Sequence, residues 1–182
     1  TIGLKAILQI QGSGSGTDLA ISLAGGCVGF HPNTQKISLL PLSLPFTLVY
    51  VGYKTPTPEV LKQVRENWKS NPDGLKQLYR SMGDITQKAL SIKQMNKQTN
   101  KLENLGSLMN QYQILMQKLG VSDKQTENLL VQLHSNADFF GVKISGSGLG
   151  DCLIALGKSQ KLYDNQINLN STSLGAWGAW DT

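Results

Sequence analysis

Two stretches of this 182-residue chain set glycine, serine and a carboxylate in an order that suits phosphate chemistry. The first is Gly12-Ser13-Gly14-Ser15-Gly16-Thr17-Asp18, and the second is Ser145-Gly146-Ser147-Gly148-Leu149-Gly150-Asp151. Glycines let backbone N–H groups come close to an anion, and a helix starting just beyond them adds partial positive charge. In both stretches the acid stands immediately before an apolar run. The candidate substrate or phosphate contacts are Gly14, Ser15 and Gly16 in the first loop, and Ser145, Gly146, Ser147, Gly148 and Gly150 in the second. Asp18 is the candidate for handling an acceptor hydroxyl, because a loose phosphoryl-transfer transition state needs only a carboxylate that orients the oxygen and takes its proton late. The plain alternatives are a Gly/Ser linker for the first loop, a tight hairpin turn for the second and a helix N-cap for Asp18. Neither the P-loop nor the dinucleotide-binding fingerprint is present.

The elements around these loops read as follows. Thr17 or Asp18 can cap a short helix that stops at Gly25-Gly26. Cys27 to Phe30 and Lys36 to Leu40 read as short strands joined through His31-Pro32-Asn33. The continuous apolar run of Phe46 to Val51 predicts a strand buried on both faces. Four helices follow. The first carries Val60, Leu61, Val64 and Trp68 on one stripe, and the second runs from Leu75 to Ala89. The third, from Leu102 to Leu119, ends at Gly120, and the Met and Tyr in its stripe read as core. Ser122-Asp123-Lys124-Gln125 is a capping box for the fourth, near whose end His134 has a structural reading. Phe139 to Ile144 and Asp151 to Gly157 form a strand–loop–strand unit, and Tyr163 to Leu169 adds another strand candidate. Strands, a helical block and strands again predict an α+β fold, with domains at 1–44 and 45–182.

Composition narrows the function classes. With 40% apolar and 16% charged residues the chain can bury a core, which excludes global disorder. No apolar run approaches 18 residues and the amino terminus has no signal-peptide pattern, so no membrane partner is expected. The net charge of +5 comes from lysines and arginines spread along the helical block without interleaved aromatics, so nucleic acid is not an expected partner. Cys27 and Cys152, each in an apolar run, read as free cysteines of a reducing, cytoplasmic compartment. They share no ligand spacing with His31 and His134, which leaves any metal ligands unassigned.

Segment order adds a resemblance. Gly12 to Ser22 followed by Gly25-Gly26 resembles the segment carrying the catalytic aspartate of the GHMP family of small-molecule kinases. Leu105-Gly106-Ser107-Leu108-Met109-Asn110-Gln111-Tyr112 and Leu119-Gly120-Val121-Ser122 resemble a helix and turn of its mevalonate kinase branch. Lys143 to Cys152 resembles the family's third, glycine-rich motif. The resemblance implies an ATP-dependent, Mg2+-using kinase acting on a small-molecule hydroxyl, with Asp18 catalytic. Mevalonate is the expected acceptor; phosphomevalonate or another GHMP substrate, and a non-catalytic ligand-binding fragment, are the alternatives. It further implies the end of an amino-terminal kinase lobe followed by a ferredoxin-like carboxyl-terminal lobe, with a homodimer as an option. The family's Pro-x-x-x-Gly-Leu-Gly-Ser-Ser type loop is not in the sequence, so the chain is expected to be the carboxyl-terminal half of a longer enzyme, with the other lobe as its missing partner. Where mevalonate kinases have an acidic metal ligand, eleven residues before the aspartate, this chain has Ile7. Gly150-Asp151-Cys152 is closer to the pattern of phosphomevalonate kinases.

Overall fold

The computed structural model of the chain describes residues 16–40, 42–92 and 98–172, together with Lys5 and Gln9. Its contacts divide the chain into two units, Thr1–Leu44 with Asn170–Thr182, and Pro45–Leu169. The sequence division at 45–182 keeps the residues after Leu169 with the second part. In the structure the Ser171 N–H donates to the Leu44 carbonyl at 2.9 Å, and the Leu44 N–H donates to Ser171 Oγ at 2.8 Å, which ties this segment to the first.

The first unit begins with helix α1, Thr17–Ala24, which ends where Gly25 and Gly26 take positive φ. Strands β1, Cys27–His31, and β2, Lys36–Leu40, then form an antiparallel hairpin with Cys27 opposite Leu40 and His31 opposite Lys36. The turn is held at its start by the Thr34 N–H, which donates to His31 Nδ1 at 3.3 Å. Leu19, Ala20 and Leu23 of α1 face Phe30 and Ile37 of the hairpin across a small cleft.

The second unit is a four-stranded sheet, in the order β4-β5-β3-β6, with helices on one face. Its strands are β3, Pro45–Lys54; β4, Gly141–Ile144; β5, Gly150–Leu156; and β6, Gln166–Asn170. Strand β5 pairs antiparallel with both neighbours, Leu153 lying opposite Val49 of β3 and Ile144 of β4. Burial of β3 on both faces is not what the structure has. Thr47, Val49 and Val51 are buried, while Tyr50 and Gly52 on the alternate positions are exposed. The reason is the single layer of helices: Val60, Val64, Leu78, Met82, Met116, Leu119, Leu130 and Leu133 all join the core on the face that Val49, Val51, Val142, Ile144, Leu153 and Ala155 present.

That layer consists of α2, Thr57–Asn67; α3, Pro72–Ser91; α4, Gln98–Leu119; and α5, Lys124–His134. Each expected helix is present. Asn71 caps α3 by accepting from the Gly74 N–H at 3.0 Å, and α4 stops where Gly120 adopts a φ of +86°. His134 has the structural setting expected, with Nδ1 2.8 Å from the Leu130 carbonyl and Nε2 3.0 Å from Asn110 Oδ1.

Helix α4 also closes one edge of the sheet. Its Gly106 backbone lies so near β4 that a Cβ there would come within 2.2 Å of the Phe140 carbonyl oxygen. At this separation side chains reach the strand: Asn110 Oδ1 accepts from the Val142 N–H and Gln113 Oε1 from the Ile144 N–H, each at 2.8 Å. These two bonds satisfy edge donors that would otherwise face outward.

The cap of α5 sits one residue later than the sequence reading placed it. Asp123 Oδ1 accepts from the Thr126 N–H at 2.9 Å, while Ser122 Oγ is buried with no partner among the described residues. Burial pushes the Asp123 carboxyl up, but the Thr126 and Tyr53 hydrogen bonds outweigh it and hold the pKa below the usual carboxylate value. A carboxyl depressed in the folded state stabilises the fold above its unfolded pKa, and that contribution is lost as pH falls through the folded value. Asp123→Ala should therefore cost about 1 kcal/mol at neutral pH, and the difference from the parent chain should shrink below about pH 4. Urea unfolding at pH 7 and pH 3 checks this; an unchanged difference at the two pH values would remove the charge from the account.

Candidate functional site

The loop between β4 and β5 carries the second candidate cluster. Its backbone takes positive φ at Gly146, Gly148 and Leu149, and so do Gly150 and Asp151, where β5 begins. The Ser145 N–H donates to the Cys152 carbonyl and the Leu149 N–H to the Val121 carbonyl, both at 2.9 Å. Among the described residues the N–H groups of Gly146, Ser147 and Gly148, lying between these two bonds, have no acceptor. A run of unpaired N–H groups on backbone that alternates in handedness is a concave anion cradle.

The start of α2 lies beside this cradle. The Thr55 N–H donates to the Leu149 carbonyl at 3.2 Å, and Thr57 Oγ1 is 3.4 Å from Ser147 Oγ. Pro56, at the N-cap position, gives α2 no side-chain cap. Partial positive charge at the helix start thus adds to the loop donors. On the β3 side Lys54 Nζ pairs with Asp151 Oδ2 at 2.7 Å, which fixes the carboxylate of the Gly-Asp-Cys segment.

The three loop glycines are not equivalent. All were expected where a side chain would block substrate or phosphate. A Cβ on Gly148 would instead lie 2.3 Å from the Val121 carbonyl oxygen, and one on Gly150 would lie 2.6 Å from the Tyr53 carbonyl oxygen. Only Gly146 opens on free space within 4 Å of its Cβ direction. For Gly148 and Gly150, absence of a side chain serves packing of the loop onto the turn after α4 and onto β3.

In the first unit, Gly16 occupies the N-cap position of α1 in the left-handed region, with φ 74°, and its carbonyl accepts from the Ala20 N–H at 2.9 Å. Asp18 is therefore the second residue of the helix and not its cap, and its side chain is exposed. Gly14 and Ser15, with the rest of that loop, lie outside the described residues. Cys27 and Cys152 are free thiols, each half-buried. Among the described residues no group of three or more His, Cys, Asp or Glu side chains could hold a metal ion, and no helix is long and apolar enough to cross a membrane.

Sequence reasoning missed Lys54 and Thr57 as neighbours of the second loop. The stretch Thr55-Pro56-Thr57-Pro58 carries a local helix-start signal, but its placement against a loop 90 residues away depends on the β3–β5 pairing.

A helical layer on one face of an antiparallel sheet, with a glycine loop between adjacent strands, agrees with what the chain resembles. Residues 86–165 match the family model described as GHMP kinases C terminal, and the chain belongs to the GHMP kinase family. Within it the similarity is to mevalonate kinases. The chain is 33% identical to mevalonate kinase of Pyrococcus furiosus over 162 residues, 88% of this chain and 48% of that protein. It is 34% identical to mevalonate kinase of Thermococcus sibiricus over 157 residues, 85% of this chain and 46% of that protein. The fold is shared with L. major mevalonate kinase, solved in complex with R-mevalonate, at a TM-score of 0.73 and 23% identity over 88% of this chain and 52% of that one. Methanococcus jannaschii mevalonate kinase gives a TM-score of 0.68 at 22% identity, covering 93% of this chain and 53% of that one. The chain spans about half the length of the curated relatives it matches.

Proposed function

We propose that this chain forms the carboxyl-terminal half of an ATP-dependent kinase that phosphorylates the hydroxyl of mevalonate. The observation that carries the reading is the cradle of free N–H groups at Gly146, Ser147 and Gly148 beside the start of α2; the similarity to the relatives named above supports mevalonate as the acceptor. On this reading residues 1–44 end the amino-terminal lobe and residues 45–182 are the carboxyl-terminal domain. ATP, when bound, supplies the phosphoryl group. The loop N–H groups, with Ser145 and Ser147 at their edge, hold phosphate oxygens by charge-assisted hydrogen bonds. Gly14, Ser15 and Gly16 serve as further substrate or phosphate contacts, and Asp18 orients the acceptor hydroxyl and receives its proton late. Among the described residues no three metal-ligating side chains cluster; Mg2+ held chiefly by the phosphates of bound ATP would need only one or two carboxylates, and no step is assigned to it. A second reading takes phosphomevalonate as acceptor, because Gly150-Asp151-Cys152 is closer to the pattern of phosphomevalonate kinases.

Phosphoryl transfer depends on positioning both donor and acceptor. The 182-residue chain alone is therefore expected to release no ADP with ATP and mevalonate, and the polypeptide extended to the relatives' full length is expected to turn over. Turnover by the chain alone would contradict the two-lobe reading. An extended protein that binds ATP but phosphorylates neither mevalonate nor phosphomevalonate would favour the non-catalytic ligand-binding alternative.

A further inference from the structure

A second concave site lies between α3 and α4, at the base of β4. It has a volume of about 280 Å³, roughly that of nine waters at liquid density. Ile85 and Ala89 of α3 and Leu105, Leu108 and Met109 of α4 give it apolar walls, and Lys143 and Gly146 complete its lining. Most of the polar groups around it are already engaged or turned to other work. The Thr86 hydroxyl donates to the Met82 carbonyl at 3.0 Å, and the Tyr112 ring serves as a face for a cation.

Lys143 brings the charge: its Nζ donates to the Ile144 carbonyl and lies 5.5 Å from the centre of the Tyr112 ring, contacts that supply no counterion. The ion pairs among the described residues are Lys54–Asp151 and Lys76–Asp73, so no carboxylate neutralises Lys143. Burial pushes its pKa down to about 8, and the side chain remains mostly charged at neutral pH. A cation placed in an apolar wall without a counterion has already lost much of its hydration, so an anion that reaches it gains attraction with little further desolvation of the lysine.

The lining selects the anion. One ammonium matches one negative charge, whereas a phosphate dianion would carry uncompensated charge into the apolar walls. The walls suit a short hydrocarbon body. We propose that this pocket is a binding site for a small aliphatic carboxylate, whose head group pairs with Lys143 and whose body lies between α3 and α4. The site is distinct from the N–H cradle and does not depend on phosphoryl transfer, although Gly146 belongs to both linings.

Titration calorimetry of the 182-residue chain with hexanoate, hexanol and hexyl phosphate at pH 7 tests this. Hexanoate is expected to bind at least tenfold more tightly than either of the others, consistent with a charged hydrogen bond in a partly dry site. Lys143→Met should remove that preference and leave hexanol affinity within about twofold, since Met keeps the length of the stem. Ala89→Phe, which fills the pocket from α3 away from the glycine loop, should abolish binding of both hexanoate and hexanol. Equal affinity for hexanoate and hexanol, tighter binding of hexyl phosphate, or hexanoate binding that survives Ala89→Phe in a chain with parent-like circular dichroism would each overturn the assignment.

Discussion

On the reading proposed above, Asp18→Asn is expected to lower turnover of the full-length protein by roughly 10²- to 10⁴-fold, while acceptor binding measured separately stays close to that of the parent. The structure separates this from a helix-stability effect. An Asp at the N-cap would leave a competent Asn cap after the substitution, and the variant would then be nearly silent. Gly16 holds that position, and Asp18 is one residue into the helix and exposed. Its structural contribution is limited to a favourable charge near the helix start, worth about 0.3 to 1 kcal/mol. A loss of turnover beyond tenfold with thermal unfolding nearly unchanged identifies the carboxylate with the hydroxyl of the acceptor. Near-normal turnover would remove Asp18 from the chemistry.

Gly148→Val should unfold the chain far more readily than any change at Gly146. The new Cβ would sit 2.3 Å from the Val121 carbonyl oxygen and 2.8 Å from the Val121 Cβ, at a φ of +91°. Backbone strain of about 1 to 3 kcal/mol and overpacking of about 1 to 3 kcal/mol act together. They also displace the Leu149 N–H from the Val121 carbonyl that anchors the loop. A destabilisation on the order of 3 to 5 kcal/mol is expected in urea unfolding. Gly146→Ala meets no atom within 4 Å and has only the penalty of its φ of +81°, about 1 to 2 kcal/mol. On the reading proposed above, Gly146→Ala in the full-length protein should then reduce ATP use more than its stability loss explains, because the new methyl stands in open space beside the loop N–H groups. If Gly148→Val unfolds within 1 kcal/mol of Gly146→Ala, the packing account of Gly148 is wrong.

The parts of the fold that could be read from sequence are those set by local pattern. The stripe from Leu102 to Leu119, its stop at Gly120 and the hairpin around His31-Pro32-Asn33 each depend on residues within a few positions of one another. What could not be read depends on partners distant in the chain. The apolar run of β3 looks the same whether helices cover one face or two, and only the packed structure shows Tyr50 left exposed. Ser122 and Asp123 are both good caps, and Asp123 is the one that accepts the Thr126 N–H in a turn whose Val121 carbonyl is bonded to Leu149 of the distant glycine loop. The glycine loops were visible as loops with chemistry. That Gly148 faces Val121 while Gly146 faces open space is a matter of direction, which composition does not encode. In the sequence Lys143 is one residue of a glycine-rich motif, and its isolation from carboxylates appears once α3 and α4 stand around it.

The way α4 covers the edge of β4 bears on how the chain behaves before it is fully folded. An edge guarded by lysine, proline or a bulge carries its protection in its own strand. Here the guard is borrowed: the Asn110 and Gln113 amides that take the Val142 and Ile144 N–H groups belong to a helix about 30 residues earlier in the chain. Any intermediate in which β4 and β5 have paired before α4 docks presents an apolar strand with open donors, a template for strand addition by a neighbouring molecule. Asn110 and Gln113 thus act as chaperoning side chains supplied in cis, and aggregation during refolding should be governed by how early α4 arrives.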